Sequence, residues 1–212
     1  MATSNSHQRE LSPLQIDALT EMVNLGVSKA AHGLAELVTE EILLSVPMVT
    51  LMEREETIQL IAAKSGGRLV AIHQDFKGDV SGDSLLIFTE SSSFELVRAA
   101  VGREMSDDEL VELELEALRE IGNIVLNGCM ATIANTLHRS LRTSLPEVVH
   151  GDARQVMQTG TVIEGESILF VHIDFKFSQR KITGNIVVVL DLPTIDALRT
   201  LLDELIERTM NG

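Results

Sequence analysis

The chain has 212 residues, 44% hydrophobic and 23% charged, an ordinary balance for a globular protein with ample apolar material for a core. Its formal net charge of −15 argues against nucleic acid, since phosphate binding needs a Lys/Arg footprint. Trp and Tyr are absent, Cys129 is alone, and no apolar run approaches the roughly 18 residues of a membrane span. Aromatic base stacking, an intrachain disulfide and membrane insertion are therefore not expected. A polar start without an apolar targeting segment, together with the single cysteine, points to the cytoplasm.

Residues 1–11 read as a disordered leader. Ser12-Pro13-Leu14-Gln15 is a helix start, with Ser as N-cap, Pro at the first helical position and Gln three residues on. The helix is predicted to run to about Glu40. Val46–Met52 reads as a strand after Pro47 enters the chain. Thr57–Ala63 and Arg68–Phe76 are predicted strands joined by a hairpin-type turn at Gly66-Gly67. A turn at Gly78–Gly82 leads to a strand at Asp83–Thr89, and Ser91-Ser92-Ser93 opens a short helix to about Val101.

The second half repeats this order. Ser106-Asp107-Asp108-Glu109 is a capping box that starts a long helix reaching about Arg139 or Leu141. Leu145–Val149, Gln155–Ile163, Ser167–Phe177 and Thr183–Leu190 read as strands, and Pro193 starts a terminal helix ending near Arg208. The repeat is also written residue by residue. Glu21-x-x-Asn24, 22 residues, Pro47 recurs as Glu120-x-x-Asn123, 22 residues, Pro146, a shift of 99 at each position. The same shift carries His73-x-Asp75-Phe76-Lys77 onto His172-x-Asp174-Phe175-Lys176. Such self-similarity decides the architecture. It implies an α+β fold of two pseudo-twofold-related halves, residues 12–102 and 106–210. Each has a long helix, antiparallel strands and a second helix, and the two pack as one unit across a short linker.

At 100° per residue, Leu19, Met22, Val23, Gly26, Ala30, Gly33, Leu34 and Leu37 form one apolar face of the first helix. Asp17, Glu21, Asn24 and Ser28 form a stripe roughly opposite. In the second helix Leu118, Ile121, Gly122, Val125, Cys129 and Ile133 face inward, and Glu116, Glu120, Asn123 and Asn127 face outward. A Glu and an Asn on an exposed helix face are commonplace. Asn, however, is a poor helix former, and its recurrence with the same Glu and the same distant Pro argues for a role. No nucleophile, activating His or Gly-rich phosphate loop accompanies the pair. An amide offers both a donor and an acceptor, so it can orient a water without being a base. A carboxylate one turn away can hold a partner's Lys or Arg. Such a surface could complete a partner's active site from outside, acting by positioning and electrostatics.

On these residues the chain resembles the CheC/CheX/FliY family of chemotaxis phosphatases. The family motif is Asp or Ser, three residues, Glu, two residues, Asn, 22 residues, Pro. It reads Asp17, Glu21, Asn24, Pro47 and then Glu116, Glu120, Asn123, Pro146. The resemblance extends from about Ser12 to Arg208, and Arg119–Asn135 is typical of a CheC second helix. It implies hydrolysis of the phosphoaspartate of a CheY-like receiver. Glu21/Asn24 and Glu120/Asn123 are the implied catalytic pairs, in which Asn positions the attacking water and Glu pairs with the receiver's Lys. Asp17, Ser28, Glu116 and Asn127 are implied partner-binding positions. Mg²⁺ belongs to the receiver, and no cofactor or metal is expected on this chain. A CheD-like deamidase is a further implied partner. Two departures stand out: Glu116 replaces the shorter Asp, and Val23 precedes Asn24 where relatives more often carry Gly. The alternative is a non-catalytic adaptor, as in the middle domain of the flagellar switch protein FliM, which shares the family's fold.

His73-x-Asp75 and His172-x-Asp174 each put two ligand types on one strand face, fewer than a metal site needs, and read as structural. Cys129 reads as a small core residue. Asp79–Asp83 lacks the spacing of a calcium loop and reads as a turn.

Overall fold

A computed structural model describes residues 11–38, 41–101, 106–160, 167–177 and 181–210. The expected leader up to Glu10, the linker at 102–105 and the turn at 164–166 lie outside the described residues. Leu11, assigned to that leader, is buried in the core.

The chain order is α1 (Pro13–Leu37), β1 (Ile42–Met52), α2 (Arg54–Ser65), β2 (Leu69–Gly78), β3 (Gly82–Thr89), α3 (Glu90–Val101), α4 (Asp107–Thr136), β4 (Leu141–Thr143), β5 (Glu147–Gly151), α5 (Ala153–Met157), β6 (Ser167–Phe177), β7 (Lys181–Leu190) and α6 (Leu192–Met210). The fold is a mixed one of helices and a single antiparallel sheet. Its strand order is β1-β6-β7-β3-β2-β4, with β5 also on β2. That order reads the same from either edge when first-half and second-half strands are exchanged. The first strand of each half pairs with the other half's hairpin: β1 with β6, and β4 and β5 with β2. β3 and β7 join the halves at the centre. Separation would therefore break main-chain ladders as well as a core.

Burial alternates along the strands, as a pleated sheet requires. Val70, Ile72 and Phe76 face the large core beneath α1, α3, α4 and α6, whereas Leu69 and Ala71 face a smaller cluster beneath α2 and α5. At the start of α1 Ser12 caps as expected: its hydroxyl accepts from Gln15 N–H at 3.3 Å, and Gln15 Oε1 accepts from Ser12 N–H at 2.9 Å. Such a cap is worth about 1 kcal/mol.

Two expected strands are helices. Thr57–Ala63 lies inside α2, where Thr57, Ile58 and Ile61 are buried at one helical face. β-branched residues suggested a strand, but Glu55 and Glu56 in the first turn and Lys64 in the last favour the helix dipole. Gly66, at φ 60°, closes that helix instead of turning a hairpin. Gln155–Met157 belongs to α5, capped by Asp152, whose carboxylate accepts from Gln155 N–H at 2.8 Å. The rest of that expected strand is a turn as far as Gly160, and 161–163 lie outside the described residues. Helix ends also differ. α1 stops at Leu37, and α4 stops at Thr136 because His138 takes a left-handed φ of 55°. Leu141, placed at the end of the helix, begins β4 instead, and Leu145, placed in a strand, lies in the loop before β5.

Candidate functional site

The two motif helices cross antiparallel on one face of the sheet. A Cβ on Gly26 would lie 2.7 Å from Cys129 Cα, and one on Gly33 would lie 3.0 Å from Ile124 Cγ2. Only glycine lets the α1 backbone come this close. Both Glu-x-x-Asn motifs precede the crossing point on their own helix, so they lie toward opposite ends of the pair. Cys129 sits in the contact, 3% exposed, and burial pushes its thiol up to about 12. It is a core residue, as its helical position predicts.

The outward stripe is only partly open. Asp17, Glu21, Ser28, Glu116 and Glu120 are exposed, whereas Asn24, Asn123 and Asn127 are half-buried. The expected full exposure of the asparagines is thus corrected: each lies low between its helix and the surrounding structure.

The second motif is assembled. Glu116, Glu120 and Asn123 line one groove with Pro146, which the loop between β4 and β5 brings in from beyond the 22 residues that follow Asn123. The groove holds about 790 Å³, and Leu37, Ala100, Val101, Leu113 and Leu145 supply its apolar wall. Leu145 is 86% exposed beside Pro146. The sequence reading missed this wall because Leu37, Ala100 and Val101 come from the first half. Only the recurrence of Pro146 signalled that a distant segment matters.

Within this site Asn127 Nδ2 donates to Asn123 Oδ1 at 2.6 Å. Asn127 is therefore turned toward Asn123, where a partner-binding surface position had been expected. Its own Oδ1 is buried and has no hydrogen-bond partner among the described residues. Leaving an acceptor dry costs about 1–3 kcal/mol, a cost that tends to persist at functional positions. Gly122, between the motif residues, lets α4 settle on β2: a Cβ there would overlap the Ile72 side chain. In the first half Val23 occupies the same place and is itself buried.

The first motif is built differently. Asp17, Glu21 and Asn24 follow one stripe of α1, but Pro47 lies inside β1 where the register with β6 shifts between Ser45 and Met48. A proline is tolerated there because β1 is an edge strand and the ladder is already broken. Among the described residues neither Ser28 nor Asn24 makes a side-chain hydrogen bond.

The histidine pairs lie on the opposite face of the sheet, on the side of α2 and α5. His73 Nε2 is 2.9 Å from Asp83 Oδ1 and 3.9 Å from Asp75 Oδ1. His73, Asp75 and Asp83 offer three ligand atoms within 4.8 Å of one another. Asp83, which the sequence put at the end of a turn, is buried opposite Asp75 in the β2–β3 register and supplies the third ligand. In the repeat, Asn185 lies directly opposite His172, at the register position that Leu85 holds opposite His73, and His172 Nδ1 lies 2.8 Å from Asn185 Oδ1. The retained feature is a hydrogen-bonded histidine, with acid or amide, which fits a structural role for both. Neither cluster touches the motif residues.

No helix among the described residues is long and apolar enough to cross a membrane. No protein-family model matches the chain. Among curated proteins it is similar to the CheY-P phosphatase CheC of Bacillus subtilis, 28% identical over 63% of this chain and 65% of that protein. It is similar also to the flagellar motor switch phosphatase FliY of the same organism, 22% identical over 80% of this chain and 44% of that one. The matches thus span less than two thirds of either relative's length. Among solved structures, Thermotoga maritima FliY superposes with a TM-score of 0.70 at 17% identity, covering 92% of this chain and 98% of that one. The FliM middle domain from H. pylori gives 0.59 at 14% identity, over 90% and 99%. A chain of the CheX-CheY-BeF3-Mg complex from Borrelia burgdorferi gives 0.50 at 16%, over 78% and 96%. In sequence and in fold the chain is thus similar to proteins of the CheC/CheX/FliY family.

Proposed function

We propose that this protein hydrolyses the phosphoaspartate of a CheY-like response regulator in the cytoplasm. The observation that carries the reading is the groove beside α4, where Glu116, Glu120, Asn123 and Pro146 meet on a rigid helix. One relative named as a CheY-P phosphatase and another named as a flagellar motor switch phosphatase support it. Asn123 enters the receiver's active site and orients a water for in-line attack on phosphorus. The P–O bond to the aspartate breaks, and inorganic phosphate and a free carboxylate result. Glu120 pairs with a receiver lysine, and the groove's apolar wall takes the receiver's adjoining surface. Mg²⁺, held by the receiver, supplies charge neutralisation at the phosphoryl group. Asn24 and Glu21 form a second pair of the same kind. The gain comes from positioning and electrostatic stabilisation, with no covalent step on this chain.

The test is the decay of a phosphorylated receiver from the same organism with the unaltered chain, Asn24→Ala, Asn123→Ala and the double variant. Accelerated decay, lost in the double variant, is expected. Equal acceleration by the double variant would reject the catalytic role of both amides.

A second reading is a non-catalytic adaptor, favoured by the likeness of the fold to the FliM middle domain. Under it, receiver or switch-protein binding survives in the double variant and no native receiver decays faster with the unaltered chain.

A further inference from the structure

We infer that Asn127 is a positioning residue for Asn123 and makes the two sites of this protein unequal. The inference rests on the phosphatase reading above and adds a residue and an asymmetry to it. Asn127 lies one helical turn beyond Asn123 on α4, the spacing at which helical side chains meet. Its Nδ2 donates to Asn123 Oδ1 at 2.6 Å. Asn123 lines the groove and Asn127 does not, so the bond comes from behind the reacting face. A carbonyl oxygen has two lone pairs. One is taken by Asn127, and the other remains to accept a proton of the attacking water. The Asn123 amino group stays free to donate to a phosphoryl oxygen. Without the bond, the amide can turn about its terminal torsion, a broad and nearly two-fold one, and exchange donor for acceptor.

The buried Oδ1 of Asn127 supports this assignment. The side chain is held where half of its amide is unsatisfied, and among the described residues its one partner is the motif asparagine. Ser28 takes the same place in the first half. It is exposed, and no hydrogen bond joins it to Asn24 among the described residues. The first site therefore has the motif without the anchor.

The experiment uses the full chain carrying Asn24→Ala, so that only the second site acts, with Asn127→Ala and the isosteric Asn127→Asp added. Steady-state decay of phosphorylated receiver gives kcat and KM, and the side-chain amide signal of Asn123 in ¹⁵N NMR reports its mobility. A fall in kcat of about tenfold with KM nearly unchanged is expected, alongside a mobile Asn123 amide. The carboxylate variant should lose as much as the alanine, since it accepts and cannot donate. Unchanged kcat with raised KM would overturn the inference and make Asn127 a partner contact. An Asn123 amide equally ordered in all variants would overturn it too, whether or not kcat falls. If the unaltered chain speeds no receiver's decay, the phosphatase reading itself fails and takes the positioning role with it. If it does and the Asn127 variants keep their kcat, only the positioning role fails.

Discussion

The two motif sites have the same spacing and different surroundings. In the second, Pro146 breaks the strand into β4 and β5, and the loop so made closes a groove over Asn123. In the first, Pro47 stays within one continuous strand, and the break is absorbed as a register shift. The equivalence is otherwise close: Ile42–Met52 shifted by 99 residues becomes 141–151, the span of β4 and β5 together. A repeated motif therefore conserves the helix stripe but not the pocket beside it. The anchor at Asn127 and the close seat at Gly122 also belong to the second site alone. What both sites share is the crossing of α1 and α4.

That shared crossing offers the largest effect. Cys129 lies in it with its thiol raised from 9.0 to about 12 by burial. The folded pKa is above the unfolded one, so this contribution is complete below pH 9 and is lost as pH climbs toward 12. The loss approaches about 4 kcal/mol for three pH units. Urea unfolding followed from pH 8 to 11 should show one transition whose stability falls, and Cys129→Ala should flatten that fall. Two separate transitions would break the picture of halves sharing one core.

Next in size is the comparison of motif asparagines. Asn123→Ala should cost about a hundredfold in kcat/KM if a preorganised donor is lost from the better-built site, and Asn24→Ala markedly less. Equal losses in a receiver-decay assay would erase the asymmetry. Gly122→Ala should follow. Its methyl meets Ile72, so α4 must shift or the isoleucine must leave its rotamer, at about 1–3 kcal/mol. Thermal melting should register that loss, with kcat falling at the second site only. The smallest effect is a gain: Ser28→Asn in an Asn123→Ala background should raise first-site kcat by about threefold, within what one added hydrogen bond can contribute. No gain would mean that α1 cannot present the anchor as α4 does.

The legible part of the site was the part carried by local periodicity. Glu21, Asn24, Glu120 and Asn123 were placed on the outward stripe because a helix repeats every 3.6 residues, and their neighbours Leu19, Met22, Leu118 and Ile121 are buried as that period requires. Thr57–Ala63 was misread because the β-branched residues in α2 occupy one helical face as readily as one strand face. Its end signal, Gly66, serves a helix C-terminus as well as a hairpin. Asn127 was placed on the outward face, and its bond to Asn123 was not foreseen, since spacing says two side chains are neighbours without saying whether they bond each other.

The sequence by itself determined the repeat, the two motif helices, their inward faces and the residues on the outward stripes. All of these depend on contacts within a turn or two of chain or on identity at a fixed shift. Only the tertiary structure decided that β1 pairs with β6 and β5 with β2, that Leu37 and Val101 wall a groove beside Asn123, and that Asp83 meets His73. Those are meetings of distant segments. They are selected by the burial of whole faces against one another, a quantity no local pattern contains.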